Sequence, residues 1–216
     1  MSGYFITFEG PDGAGKTTQV KRLASELENR GYRVIVTREP GGTEISDQIR
    51  AILLHPDHRS MADQTEVLLY AASRAQHVHQ TIKPALERGD IVLCDRFIDA
   101  SIAYQAYGLG IDEQVVRSIN AFASSGLQPN RTYMLDLSAE VGRDRILART
   151  GGQSQGLDRI EQKELDYHRR VREGFGRIAA QEPSRVCRID ANRSIDEITS
   201  DILTDCLSIL PRGING

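Results

Sequence analysis

The 216-residue sequence has only three cysteines, Cys94, Cys187 and Cys206, and none is spaced from another as metal ligands are. So small and odd a number excludes a disulfide framework. No apolar run approaches the roughly 20 residues that would cross a bilayer. The start shows no basic segment followed by a cleavage site, because residues 4–8 already read as a strand. A cytoplasmic protein is expected. Neither sign of charge dominates: 27 Lys and Arg against 30 Asp and Glu leave a net charge of −3, so neither nucleic acid nor an anionic membrane is expected as a partner. Repeats, low-complexity tracts and the Asn-Lys-x-Asp segment by which GTPases read their base are also absent.

What is present is a chain that is 39% hydrophobic and 26% charged, as a folded domain requires. Short apolar runs at residues 4–9, 33–37, 91–94, 132–137 and 185–189 carry Val, Ile, Leu and Phe on adjacent positions, the pattern of strands covered on both faces. Between them lie helical patterns at 16–30, 43–54, 62–88, 113–124, 140–149, 159–181 and 194–209, the third interrupted by Pro84. Such alternation predicts a single α/β domain over residues 1–216, with a parallel sheet flanked by helices and ligands at the carboxyl ends of the strands.

Gly10-Pro11-Asp12-Gly13-Ala14-Gly15-Lys16-Thr17 fits G-x-x-x-x-G-K-[ST], directly after a strand and before a helix. Backbone N–H groups surround a polyphosphate only if the chain wraps tightly, which the glycines permit, and the helix start adds free donors and a positive dipole end. Lys16 is expected on the β- and γ-phosphates of a nucleoside triphosphate, and the Thr17 hydroxyl on Mg²⁺. At the tip of the third strand, Asp95 and Arg96 pair a carboxylate suited to Mg²⁺ with a guanidinium suited to a second anion, which suggests a phosphorylated acceptor. Tyr70 and Arg74 share a helix face, where a ring and a guanidinium can meet a flat base. Ser101, Tyr104 and Gln105 follow the Asp-Arg tip, and Thr43 is the expected N-cap after a glycine-rich loop. His77 and His79, two apart on a helix, read as ordinary helix residues and Cys94 as core.

Together with Phe8-Glu9-Gly10, Arg38-Glu39-Pro40-Gly41-Gly42-Thr43, Leu68 through His77, Asp95-Arg96-Phe97 and Leu157-Asp158-Arg159-Ile160-Glu161, these residues resemble the thymidylate (dTMP) kinases over nearly the whole chain, most closely the bacterial form. The resemblance implies a P-loop nucleoside monophosphate kinase fold with a five-stranded parallel sheet, a mobile lid at about residues 149–160, and a homodimer. It implies transfer of the γ-phosphoryl group of ATP to dTMP, with Mg²⁺. It places the nucleotide on Gly10 through Thr18, the last of these two residues past the lysine. It sets Asp12 against the 3′-hydroxyl of dTMP, Arg96 on its phosphate, Arg74 at the thymine edge, Tyr104 at C2′, and Ser101 and Gln105 near the base. Position 70 stacks on the ring; the family commonly has Phe there, so Tyr70 is a departure. With Gly13 and Ala14 in place of a loop arginine, Arg149 becomes the lid cation and Arg159 fixes the lid's far end. Uncharged residues 150–156 suit a flexible segment. The residues alone leave open another nucleoside monophosphate or deoxynucleoside kinase, and a non-catalytic nucleotide-binding module.

Overall fold

The computed structural model describes residues 3–149, 151 and 156–210. Strands β1 (Tyr4–Glu9), β2 (Val34–Arg38), β3 (Ile91–Asp95), β4 (Arg131–Asp136) and β5 (Val186–Asp190) form one parallel sheet in the order β2-β3-β1-β4-β5. The helices are α1 (Lys16–Glu28), α2 (Glu44–Leu54), α3 (Asp63–His77), α4 (Lys83–Glu87), α5 (Ile98–Ser101), α6 (Glu113–Ser124), α7 (Ala139–Arg149), α8 (Leu165–Gln181) and α9 (Ile195–Ile209). Among the described residues no helix is long and apolar enough to cross a membrane.

The adjacent apolar residues of the strands are explained by packing on both faces, since successive side chains point to opposite sides. Ile6 and Phe8 of β1 and Ile91 and Leu93 of β3 pack with Leu23 and Leu27 of α1 and Ile198 and Ile202 of α9. Their neighbours Phe5, Val92 and Cys94 face the other way, against Val78, Ile82 and Phe97. Further along that side, Met134 and Val186 meet Tyr104, Val116, Val171 and Phe175. This order puts β1 in the centre, with connections leaving to both sides, so a crevice opens at the carboxyl ends of β1 and β3.

Three segments depart from the sequence expectation. The helical pattern over 62–88 divides: α3 ends at His77, residues Val78–Ile82 widen into a π-helical turn, and α4 resumes with Pro84 in its first turn. Proline supplies no N–H to the preceding turn, and the wider turn accommodates that loss. The helix expected over 159–181 begins only at Leu165. Asp158 Oδ1 accepts the backbone N–H groups of Ile160 and Glu161, both at 2.8 Å, and caps a short turn, but the backbone is extended at Glu164 (ψ 153°), so the helix proper starts after it. After β3, α5 runs into a buried π-helical stretch, Ile102–Gly108, which carries Tyr104 and Gln105. Thr43 caps α2 as expected, its side chain accepting the Ser46 N–H at 3.1 Å. The flexible segment expected at 150–156 falls largely on residues 150 and 152–155, outside the described residues.

Candidate active site

The phosphate loop leaves β1 at Gly10, whose φ is +132°. A Cβ there would stand 2.2 Å from the Leu135 carbonyl oxygen, so only glycine lets the loop lie this close to β4. Lys16 opens α1 and folds back over the loop, its Nζ donating to the carbonyl oxygens of Gly10 (3.1 Å) and Pro11 (2.7 Å). Burial, then the nearby Arg96, push its ammonium down to about 8 against the pull of Asp12, Asp95 and Glu9. Gly13, Gly15, Lys16, Thr17, Thr18 and Asp95 line a cavity of about 410 Å³. Ala14 is buried beneath the loop, and Pro11 borders a further open cavity between α7 and the start of α8, which shares Asp12, Ile146 and Glu161 with this one.

The Thr17 hydroxyl donates to Asp95 Oδ2 at 2.6 Å, bringing the first turn of α1 to the tip of β3. Hydroxyl and carboxylate oxygens beside a polyphosphate cradle are the hard donors that suit Mg²⁺ when phosphates and water complete its shell. Among the described residues no group of three or more His, Cys, Asp or Glu could hold a metal ion.

Asp12, Tyr70, Arg74, Arg96, Ser101, Tyr104 and Gln105, the residues expected at the acceptor, all line a second, narrower cavity of about 90 Å³. It shares Asp12, Glu39, Arg50, Arg96 and Asp158 with the first, so the two are joined end to end. Its volume is well under the roughly 300 Å³ of a typical small-ligand pocket.

Arg96 sits at the joint with φ +71°, an uncommon backbone state for a side-chain-bearing residue. Its N–H donates to Phe8 O at 2.9 Å, and the next N–H, that of Phe97, donates to Glu9 Oε1 at 2.7 Å, which fixes the kink on β1. Glu9 is wholly buried with Oε2 unpartnered, and burial, then Asp99, raise its carboxyl to about 8. From the kink, the Arg96 guanidinium reaches Gly10 O (3.1 Å), Asp12 Oδ1 (2.5 Å) and the Tyr104 oxygen (3.0 Å). The Tyr104 hydroxyl donates to Asp12 Oδ2 at 2.7 Å and closes a three-residue ring. Burial alone would raise Asp12, but Arg96, Lys16 and this hydrogen bond hold its carboxyl at about 2. The guanidinium keeps Nε–H and one terminal N–H without a protein acceptor among the described residues.

Arg74 is buried and nearly saturated. Nε donates to Glu39 Oε2 (2.7 Å), one terminal nitrogen to Ser101 Oγ (3.0 Å) and Asn120 Oδ1, and the other to Phe97 O (2.9 Å). One N–H has no acceptor among the described residues. Burial, with Glu66 and Asp158 nearby, raises the Tyr70 phenol, so it stays neutral, and no described residue hydrogen-bonds it. Gln105 donates to Glu66 Oε1 (3.0 Å), whose other oxygen accepts from Arg159 (2.6 Å). Arg159 Nε also donates to Leu53 O (2.8 Å), so the residue expected at the lid's far end is an interior clamp. Arg149, at the other end, donates to Glu161 Oε1 at 2.7 Å and borders the larger cavity.

Sequence reasoning gave no role to Arg38, Arg50 or Arg145, which also border the larger cavity. Arg38 pairs with Asp47 (2.9 Å), Arg50 donates to Pro40 O (2.9 Å), and Arg145 ties Gly13 O (3.3 Å) to Ala191 O (3.2 Å). Arg38 stands at a strand's carboxyl end, a position that could have flagged it, and Arg145 lies one helical turn before Arg149. Arg50 carries no local signal.

The thymidylate kinase family model matches residues 8–202. The chain is similar to a thymidylate kinase from Exiguobacterium sibiricum, 52% identical over 212 residues, 98% of each chain. It is 48% identical to one from Geotalea uraniireducens over 98% of this chain and all of that one. The crystal structure of thymidylate kinase from Ehrlichia chaffeensis superposes with a TM-score of 0.74 at 32% identity, covering 98% of this chain and 100% of the other.

Proposed function

Because this chain belongs to the thymidylate kinase family, we propose that its two joined cavities hold ATP and dTMP end to end during the γ-phosphoryl transfer that yields ADP and dTDP. The single observation that carries this assignment is the convergence of every expected acceptor residue on a ring-sized cavity opening into the phosphate-loop cavity.

In this reading the loop N–H groups and Lys16 take the ATP phosphates. Thr17 and Asp95 would hold Mg²⁺, which when bound neutralises phosphate charge. Arg96 turns its two remaining N–H groups to the acceptor phosphate, so the nucleophilic oxygen is positioned by the same residue that braces Asp12. No strong base is required, because the phosphate oxygen of dTMP is already a nucleophile and catalysis is positioning and charge neutralisation. Arg149 offsets charge on the moving group, with Arg145 one turn away on the same helix. Tyr70 stacks on thymine, the free N–H of Arg74 meets its edge, and Tyr104, pinned over Asp12, crowds C2′. Ser101 and Gln105 border the base.

We also assign the exposed apolar side chains Leu68 of α3 and Val115 and Phe122 of α6, the last 88% exposed, to contact with a second copy in a homodimer. The cytoplasm is the proposed compartment, where Cys94, Cys187 and Cys206 remain thiols. An ADP-release assay over dTMP, dUMP, thymidine, UMP and CMP tests the site assignment. The fastest turnover is expected with dTMP. Preference for a ribonucleotide or for unphosphorylated thymidine would overturn it, as would ATP binding without transfer.

A further inference from the structure

His77 is fully buried at the end of α3, and both of its ring nitrogens are engaged. Nδ1 lies 2.9 Å from Glu39 Oε1, and Nε2 lies 2.7 Å from Thr37 Oγ1. A carboxylate accepts only, so Nδ1 is the donor; in the neutral ring Nε2 then accepts the Thr37 hydroxyl proton. The other oxygen of Glu39 takes Nε of Arg74. The result is a directional chain from Thr37 on β2, through His77 and Glu39, to the guanidinium that borders the acceptor cavity. A Cβ on Gly42 would stand 2.6 Å from both His77 Nε2 and Thr37 Oγ1, so the loop after β2 lies directly over this chain and seals it.

A carboxylate held on one oxygen can rotate about its last bond; held on both, it cannot. Ser101, Asn120 and the Phe97 carbonyl oxygen hold the terminal nitrogens of Arg74, and Glu39, the only acidic side chain bonded to it among the described residues, fixes the Nε edge of the guanidinium plane. With four of its five N–H groups committed, the direction of the fifth is set wholly by that plane. We propose that His77 is a positioning residue for the acceptor base: by fixing Glu39 it aims the one free N–H of Arg74 into the acceptor cavity. This rests on the assignment of that cavity to dTMP.

Steady-state kinetics on the full chain tests it with His77→Phe, His77→Asn, Thr37→Val and Arg74→Ala, alone and combined. His77→Phe keeps a ring but leaves Glu39 with one partner; KM for dTMP should rise about tenfold, with kcat and KM for ATP changed by less than about threefold. His77→Asn, whose amide can still donate to Glu39, should restore most of the loss. If the phenylalanine variant fails to fold, Thr37→Val, which removes only the outer hydrogen bond, should raise KM for dTMP by about twofold to fivefold. In the Arg74→Ala background neither change should shift KM further, because an effect transmitted through Arg74 vanishes with it. A rise in KM that persists in that background overturns the proposal, as does equal loss of kcat and of both KM values. If Arg74→Ala itself leaves KM for dTMP unaltered, the acceptor-site assignment fails instead.

Discussion

The two ends of the site are built on opposite plans. At the proposed donor end, recognition would fall to the main chain of a continuous stretch, Gly10 to Thr17, shaped by glycine and the start of α1. At the proposed acceptor end it would fall to side chains gathered from the phosphate loop, α2, α3, the turn after β3 and the π-helical stretch beyond it, most already bonded to one another. A main-chain cradle recognises any polyphosphate and needs only the right path. A side-chain cavity recognises a particular shape and needs each member held by another.

The contrast is broken most severely by removing the charge at each end. Lys16→Ala should lower kcat/KM by about a thousandfold or more, and Arg96→Ala by about a hundredfold or more with a larger rise in KM for dTMP, each within a few degrees of the parent Tm. Similar KM values for dTMP in Arg96→Ala and the parent would remove the division between the ends. Next, Gly10→Ala attacks the path itself. Strain of about 3 kcal/mol, at about 2–4 °C per kcal/mol for a chain of this size, should lower Tm by roughly 6–12 °C, read by calorimetry.

A smaller effect follows from Lys16, held at about 8 in the free protein. Polyphosphate binds the ammonium form, so ATP affinity is fully present below pH 8 and declines as pH rises through it, approaching about tenfold per pH unit. Titration calorimetry near pH 8 in buffers of different ionisation enthalpy should register proton uptake on binding. The smallest effect is expected of Tyr70→Phe. The ring is kept and the hydroxyl has no partner among the described residues, so KM for dTMP should change by less than about threefold. A larger change would mean that the hydroxyl itself recognises the nucleotide.

This division also explains what was legible in the sequence. The strands and the phosphate loop are local patterns, and all five strands fall within one residue of their expected ends. Asp95, Arg96, Tyr104 and Gln105 were legible because they follow a strand to the ligand edge. The connections among them were not. Glu39 meets Arg74 from 35 residues away and His77 from 38, and no helical or strand spacing encodes such pairs. His77 therefore passed as an ordinary helix residue, although it is buried between two polar partners. Residues 159–164 have a composition that a helix tolerates, but the turn that Asp158 caps is cut short by the extended backbone at Glu164. The inward reach of Arg159 to Glu66 is likewise a tertiary outcome.

The ring of Asp12, Arg96 and Tyr104 has a consequence for an idle enzyme. Small oxyanions abound in any cell, and a bare guanidinium at the mouth of a cleft would be occupied by them much of the time. Here the positive charge is already neutralised by a neighbouring carboxylate, so a stray phosphate or sulfate gains little by settling there. On the proposed assignment a nucleotide arrives differently: its ring anchors deeper in the cleft, and that grip holds its phosphate against the two Arg96 N–H groups that the protein leaves free. The lock thus yields to the whole key and resists a fragment of it.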